Sequence, residues 1–221
     1  VGEGDRSAAV PISTSPAAVS GLSSIAQTTS SISLSWDAVV ASGGEEVTGY
    51  IVYRSDGDGG TDHSIVAHNG TGSTEATATV SELEGGRLYS FVVSGVSAAG
   101  EGDVSAVPFT QSTLPGAPSG LGSEAQTTGS ITLQWTAPAE LGGDTVSEYV
   151  LYMDDGSGES AAVSTEAYRG ELSSSVLVEG LVGGRSYKFA VSAVSASGEG
   201  DRSTVYSACT AVSSPTTVVS T

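Results

Sequence analysis

An all-β fold, with two tandem seven-stranded antiparallel β-sandwiches, follows from three observations on the 221-residue chain. First, long segments recur at a near-constant spacing. "LSSIAQTTSSISLSWDA" from Leu22 is answered by "LGSEAQTTGSITLQWTA" from Leu121, a shift of 99. "LEGGRLYSFVVSGVSAAGEGD" from Leu83 is answered by "LVGGRSYKFAVSAVSASGEGD" from Leu181, a shift of 98. Second, apolar residues in these segments alternate with polar ones, the period of a strand with one face on a core. Third, the composition favours Gly, Ser, Thr, Val and Ala, with Lys188 the only lysine and Asn69 the only asparagine. Such a chain forms short β-branched runs separated by small turn residues.

Within the first repeat the strands are expected near residues 18–27, 30–37, 47–54, 62–68, 74–80, 87–97 and 103–112. Ile32, Leu34 and Trp36 alternate with serines, and Ile131, Leu133 and Trp135 repeat the pattern. Tyr50 and Tyr53 on the third strand match Tyr149 and Tyr152. Tyr89, Phe91 and Val93 form a further inward set, matched by Tyr187, Phe189 and Val191. The offset changes by one residue between Tyr53 and Leu83, where Gly, Asp and Ser dominate, as insertions collect in surface loops. Seven short strands in about 100 residues suit two packed sheets.

The tetrapeptide "GEGD" occurs at Gly2–Asp5, Gly100–Asp103 and Gly198–Asp201. The second and third copies close the two repeats, so the first marks the end of a repeat whose body is not in the chain. The expected organisation is a last strand of a preceding repeat plus linker over residues 1–16, domains over 17–114 and 115–212, and over 213–221 a linker to a following repeat. "LPGAP" at Leu114–Pro118 joins the two domains.

These residues carry a family resemblance. The Trp on the second strand, the Tyr on the third, "L-x5-Y-x-F-x-V" and the closing "A-x-x-G-E-G" resemble fibronectin type III domains, over almost the whole chain and twice. The resemblance implies a structural core of Trp36, Tyr50, Leu83 and Tyr89, repeated as Trp135, Tyr149, Leu181 and Tyr187. It also implies a tyrosine corner at Tyr89 and Tyr187, whose hydroxyls then need backbone partners. The fold hosts many roles, so it implies no single activity.

Charge and composition narrow the function. Seven basic residues against twenty-five acidic ones give a net charge of −18, which repels phosphate backbones and excludes nucleic acid as a partner. No apolar run approaches the roughly 20 residues of a membrane span, so no membrane insertion is expected in this segment, and the opening residues carry no signal-peptide pattern. The single cysteine, Cys209, excludes a disulfide within the chain. It is expected as a small buried or half-buried residue near a strand end, with a cross-link to a neighbouring chain as the alternative.

No constellation for catalysis is visible. The only histidines, His63 and His68, fall in the variable part of the first repeat, and no nucleophile elbow or metal-ligand spacing appears. The chain is therefore expected to be no enzyme and to need no cofactor or metal. "SDGDGGTDH" at Ser55–His63 offers Asp56, Asp58 and Asp62 as oxygen ligands for Ca²⁺. Gly60 and Ala67 stand where the EF-hand pattern wants acidic residues, however, so a solvated hairpin turn is the expectation. "NGT" at Asn69–Thr71 matches the N-glycosylation pattern, though Asn-Gly is also a preferred turn pair. The order "GDR" at Gly200–Arg202 is not the integrin-binding "RGD", and the glycines there answer to a tight turn. Arg87 and Arg185 are expected to screen nearby carboxylates.

The reading is a segment of an extracellular or cell-surface structural or adhesive protein. Its tandem rigid modules would belong to a surface array or filament. The partners expected are other copies or repeats of the same protein, head to tail, and glycans. Donation of the N-terminal strand near Asp5–Ile12 to a neighbouring chain is one route to assembly. The alternative is a non-catalytic spacer or binding module of a secreted carbohydrate-active enzyme, or a receptor ectodomain.

Overall fold

Alternating side chains with small turn residues between them give sixteen strands and no helix among the described residues, which are 14–40, 44–139, 141–157, 163–170 and 172–213 of the computed structural model. The N-terminal strand expected near Asp5–Ile12 lies outside them. In the first domain the strands are β1 (Ser23–Gln27), β2 (Ile32–Ser35), β3 (Val47–Arg54), β4 (Ile65–Asn69), β5 (Thr77–Val80), β6 (Leu88–Ser97), β7 (Gly100–Glu101) and β8 (Phe109–Ser112). The second repeats them as β9 (Ser119–Gln126), β10 (Ser130–Thr136), β11 (Val146–Met153), β12 (Thr165–Gly170), β13 (Ser175–Glu179), β14 (Ser186–Ser195), β15 (Gly198–Glu199) and β16 (Tyr206–Cys209).

Each domain is a sandwich of two antiparallel sheets. One has the order β1-β2-β5. The other has the order β4-β3-β6, with β7 and β8 both on β6; the second domain reproduces both arrangements. Registers agree as well: Tyr50 opposes Gly95 and Tyr149 opposes Ala193. The inward sets meet between the sheets. Ile32, Leu34, Val52, Phe91 and Val93 are wholly buried, as are Ile131, Leu133, Leu151, Phe189 and Val191. Trp36 meets Tyr50 edge-on at 5.3 Å between ring centroids, and Trp135 meets Tyr149 at 5.4 Å. That geometry sets the positive ring edge against a negative face.

One strand differs from expectation. The last strand, expected as a single run over 103–112, is shortened to β8, and the two-residue β7 precedes it as a separate arm on β6. Gly100 turns at φ 118°, and a Cβ on Gly102 would overlap the Pro16 carbonyl oxygen. The incoming linker thus crosses the "GEGD" turn and bends the chain off the sheet edge. Ser105 spans the gap, its N–H donating to the Val93 carbonyl at 2.8 Å, and regular pairing resumes at Phe109. Gly200 meets Pro115 in the same way in the second domain.

Candidate functional site

The eight core residues lie in matched positions. Trp36, Tyr50, Leu83 and Tyr89 are buried, as are Trp135, Tyr149 and Tyr187, whereas Leu181 is half-buried. The Tyr89 hydroxyl accepts the Glu84 N–H at 3.0 Å, and Tyr187 accepts that of Val182 at 2.9 Å. Tyr50 also uses its hydroxyl, accepting the Val39 N–H at 2.9 Å. These bonds pin the loop before β6 and the loop before β3 to the core. No protein acceptor among the described residues reaches the buried indole nitrogens of Trp36 and Trp135.

The loop at Ser55–His63 is no plain hairpin tip. It folds back along β6, with Asp58 bridged to Leu88 and the Gly59 N–H donating to the Leu88 carbonyl at 3.1 Å. Gly57, at φ 99°, lets the loop lie on the Tyr89 ring, where a Cβ would stand 2.7 Å from the ring edge. The Asp56 carboxylate accepts the Asp58 N–H, and Asp58 accepts that of Gly60. Asp58 is held below the usual carboxylate range by its hydrogen bonds with Asp56 and Gly60. No cluster of three metal-type ligands occurs among the described residues. His63 hydrogen-bonds the Ser90 hydroxyl at 2.8 Å, and His68 lies half-buried on β4.

Asn69 ends β4 with its side chain exposed, its Oδ1 accepting the Thr71 N–H and, at 2.6 Å, the Thr71 hydroxyl. A shallow trough of mixed polarity lies beside it, lined from Ile25 and Ser33 across to His68 and Thr79. A second groove, mostly apolar, opens between the segments leading into β1 and β8, over Leu22 and Phe109. In the second domain Tyr206 replaces Phe109 and its hydroxyl meets that of Ser123 at 2.9 Å, closing the seam. Cys209 is exposed, which corrects the expectation of a buried thiol: it follows Ala208 on the outward side of β16. Arg87 pairs with Glu84. Arg185 lies close enough to Asp155 to help lower its carboxyl, after the larger effect of hydrogen bonds to Ser157.

On the outer face of each larger sheet a tyrosine and a serine hold the "GEGD" glutamate. Tyr53 donates to Glu101 at 2.8 Å and Ser94 joins it; Tyr152 donates to Glu199 at 2.7 Å and Ser192 joins it. Burial, then the adjoining carboxylate, raises the ordinary phenol value of both tyrosines. Only the second domain adds arginines. Arg202 stacks on the Tyr152 ring at 3.4 Å, and Arg169 binds Glu148 and Glu166 beside Glu199. Val104 and Asn69 stand in those places in the first domain. Burial pushes the Glu199 carboxyl up, but the two hydroxyls and two guanidinium groups outweigh it and the net shift is down.

The most developed contact surface is the joint between the domains. The Gly143 N–H of the second domain donates to the Gly86 carbonyl of the first at 2.9 Å. The Gln27 side chain donates to the Ser197 carbonyl at 3.0 Å, and the Thr29 hydroxyl to the Asp201 carboxylate at 2.5 Å. The linker is fastened as well: the Leu114 N–H donates to Thr28, and the Leu114 carbonyl accepts from Gly86. Glycine makes the approach fit, since a Cβ on Gly143 would lie 2.6 Å from the Gly86 oxygen. Periodicity does not mark Gln27 or Thr29, because neither is a core position. The signal that could have found them is the identical polar "AQTT" in both repeats, where solvent alone demands no such match.

Among curated proteins the chain is 32% identical over 194 residues to chitinase A1 of Niallia circulans, covering 84% of this chain and 24% of that protein. It is 31% identical over 152 residues to human receptor-type tyrosine-protein phosphatase H, covering 69% of this chain and 13% of that one. The chain thus spans a quarter or less of the length of these relatives. Among solved structures, a two-domain fibronectin type III segment of chicken tenascin is 17% identical with a TM-score of 0.44, covering 87% of this chain and 99% of that one. The FN1–FN3 segment of chicken CNTN1 is 17% identical with a TM-score of 0.46, covering 90% and 69%. The model of the fibronectin type III domain matches residues 17–111 and again 116–208. With two matched domains, the chain belongs to the fibronectin type III family.

Proposed function

We propose that this segment is a non-catalytic spacer of an extracellular protein, holding whatever flanks it at a set distance and orientation. The observation that carries the reading is the joint, where three polar contacts and a fastened linker tie two sandwiches together. A freely hinged pair would need none of them. The relatives support the setting, since one is named a chitinase and the other a receptor phosphatase, and the chain aligns with only a small part of each. The acidic surface, with a net charge of −18, suits a soluble and weakly adhesive strut.

Small-angle scattering tests the reading. The chain is expected to scatter as one elongated body, and insertion of three glycines between Leu114 and Pro115 is expected to convert it into a flexible pair. If the unmodified chain already scatters as a flexible pair, the spacer reading fails. Retention of the chain on chitin would favour a binding module instead; none is expected.

A further inference from the structure

We infer that Asn69 is an N-glycan acceptor and that the trough beside it seats the first N-acetyl sugar. Asn69-Gly70-Thr71 has the acceptor pattern, and Asn69 is the only asparagine of the chain. Backbone demands do not explain it. The Gly70 N–H still pairs with the Tyr50 carbonyl at 2.9 Å, and the turn proper runs from Gly70 to Ser73, closed by a bond of 2.9 Å. Its left-handed residue is Gly72, at φ 93°. Asn69 therefore does not build the turn that Asn-Gly pairs favour. Pairing with β3 and β11 places Arg169 at the matching position of the second domain, and Tyr168 at that of His68.

The side chain is presented for modification. Asn69 is exposed, and its Oδ1 accepts the Thr71 N–H at 3.1 Å and the Thr71 hydroxyl at 2.6 Å. Its Nδ2 donates to no acceptor among the described residues, so a glycan bonded there breaks no contact of the fold. The trough holds about 660 Å³, within the roughly 300–1,000 Å³ of small-molecule sites. Ser33, Thr77 and Thr79 line it with hydroxyls, and Ile25, 62% exposed at the β1 bulge, gives an apolar spot for an acetyl methyl. The second domain is built otherwise. Tyr168 packs on its core, and a Cβ on Gly170 would overlap the Tyr168 hydroxyl; Glu124 stands in the place of Ile25. Acceptor, open trough and apolar spot thus coincide in the first domain. The step joins Asn69 Nδ2 to the anomeric carbon of an N-acetylhexosamine supplied by a lipid-linked oligosaccharide diphosphate. The bond from sugar to diphosphate oxygen breaks, and the amide proton leaves with the diphosphate.

The test is to secrete the whole chain from a eukaryotic cell and weigh it before and after enzymatic removal of N-glycans. The expected result is an excess mass that the enzyme removes, leaving Asp at position 69 in the peptide map. Asn69→Gln and Thr71→Ala, both at exposed side chains, are expected to abolish that excess and leave secretion intact. The seat is read by NMR after the glycan is trimmed to its first sugar. Contacts are expected from the acetyl methyl to Ile25, Thr77 and Thr79. His68→Tyr, which copies the second domain, is expected to keep the glycan and lose these contacts. A secreted and folded chain with Asn69 unmodified overturns the inference, as does a sugar that makes no contact with the trough. Neither result bears on the joint between the domains, so the spacer reading stands or falls by scattering alone.

Discussion

The buried tyrosine hydroxyls show how single atoms hold loops in this chain. Tyr89 accepts the Glu84 N–H, so Tyr89→Phe leaves a partly buried donor short of a partner and is expected to cost about 0.5–1.5 kcal/mol of first-domain stability. Trp36→Ala and Trp135→Ala empty the centre of each core and are expected to cost about 3–5 kcal/mol, close to the whole stability of a small domain. Denaturant unfolding of the chain should then show only the altered domain melting early. Glu82 is the one non-glycine residue at positive φ among those described, at 60°, and its counterpart Gly180 sits at 75°. Glu82→Gly is therefore expected to stabilise the first domain by up to about 1 kcal/mol, the left-handed strain exceeding glycine's entropy cost; a lowered melting temperature would contradict this. Glu199 has a depressed folded value, so its stabilisation is present above the ordinary carboxylate range and is lost as pH falls through the folded value. Glu199→Gln is expected to flatten the acid limb of second-domain stability, read by thermal melts between pH 7 and roughly pH 3. Most of the core residues are legible in the sequence because burial imposes a period of two. Glu199's environment is not, because Tyr152, Ser192 and Arg202 come from β11, β14 and the segment after β15, which only the fold brings together.

Between elements, glycines decide how near the backbone of one segment comes to another. Gly156, at φ 65°, lies on the Tyr187 ring as Gly57 lies on Tyr89. Gly156→Ala faces both a positive φ and the ring, and is expected to loosen the loop after β11, seen as faster amide exchange of Asp154 and Lys188, whose N–H groups bond there. Gly143→Ala acts differently. It is expected to leave each sandwich's melting unchanged and to separate the domains, because its Cβ meets the Gly86 carbonyl rather than its own core. Strand positions were readable from alternation, most plainly in β2 and β5, whose buried residues fall at every second position. The break between β7 and β8 was not. It depends on Pro16 crossing Gly102, a contact between residues 86 positions apart (102 − 16) that no local pattern encodes.

Across the whole molecule, three polar contacts and a fastened linker tie the two sandwiches at one joint. The repeat itself, and hence the family, was written in matched segments 98 and 99 residues apart. The joint was not, since hydrogen bonds such as Gln27 to Ser197 join turns 170 residues apart, through groups that look like ordinary polar surface. The exposed Cys209 gives a natural labelling site in the second domain, and Glu75→Cys gives one on the exposed surface of the first. Pulsed electron spin measurement of the distance between labels at these two positions tests the joint directly. The account predicts a single narrow distance distribution in the otherwise native chain, broadened when Gly143→Ala and Thr29→Ala are added. A distribution already broad before those changes, and insensitive to them, would contradict it.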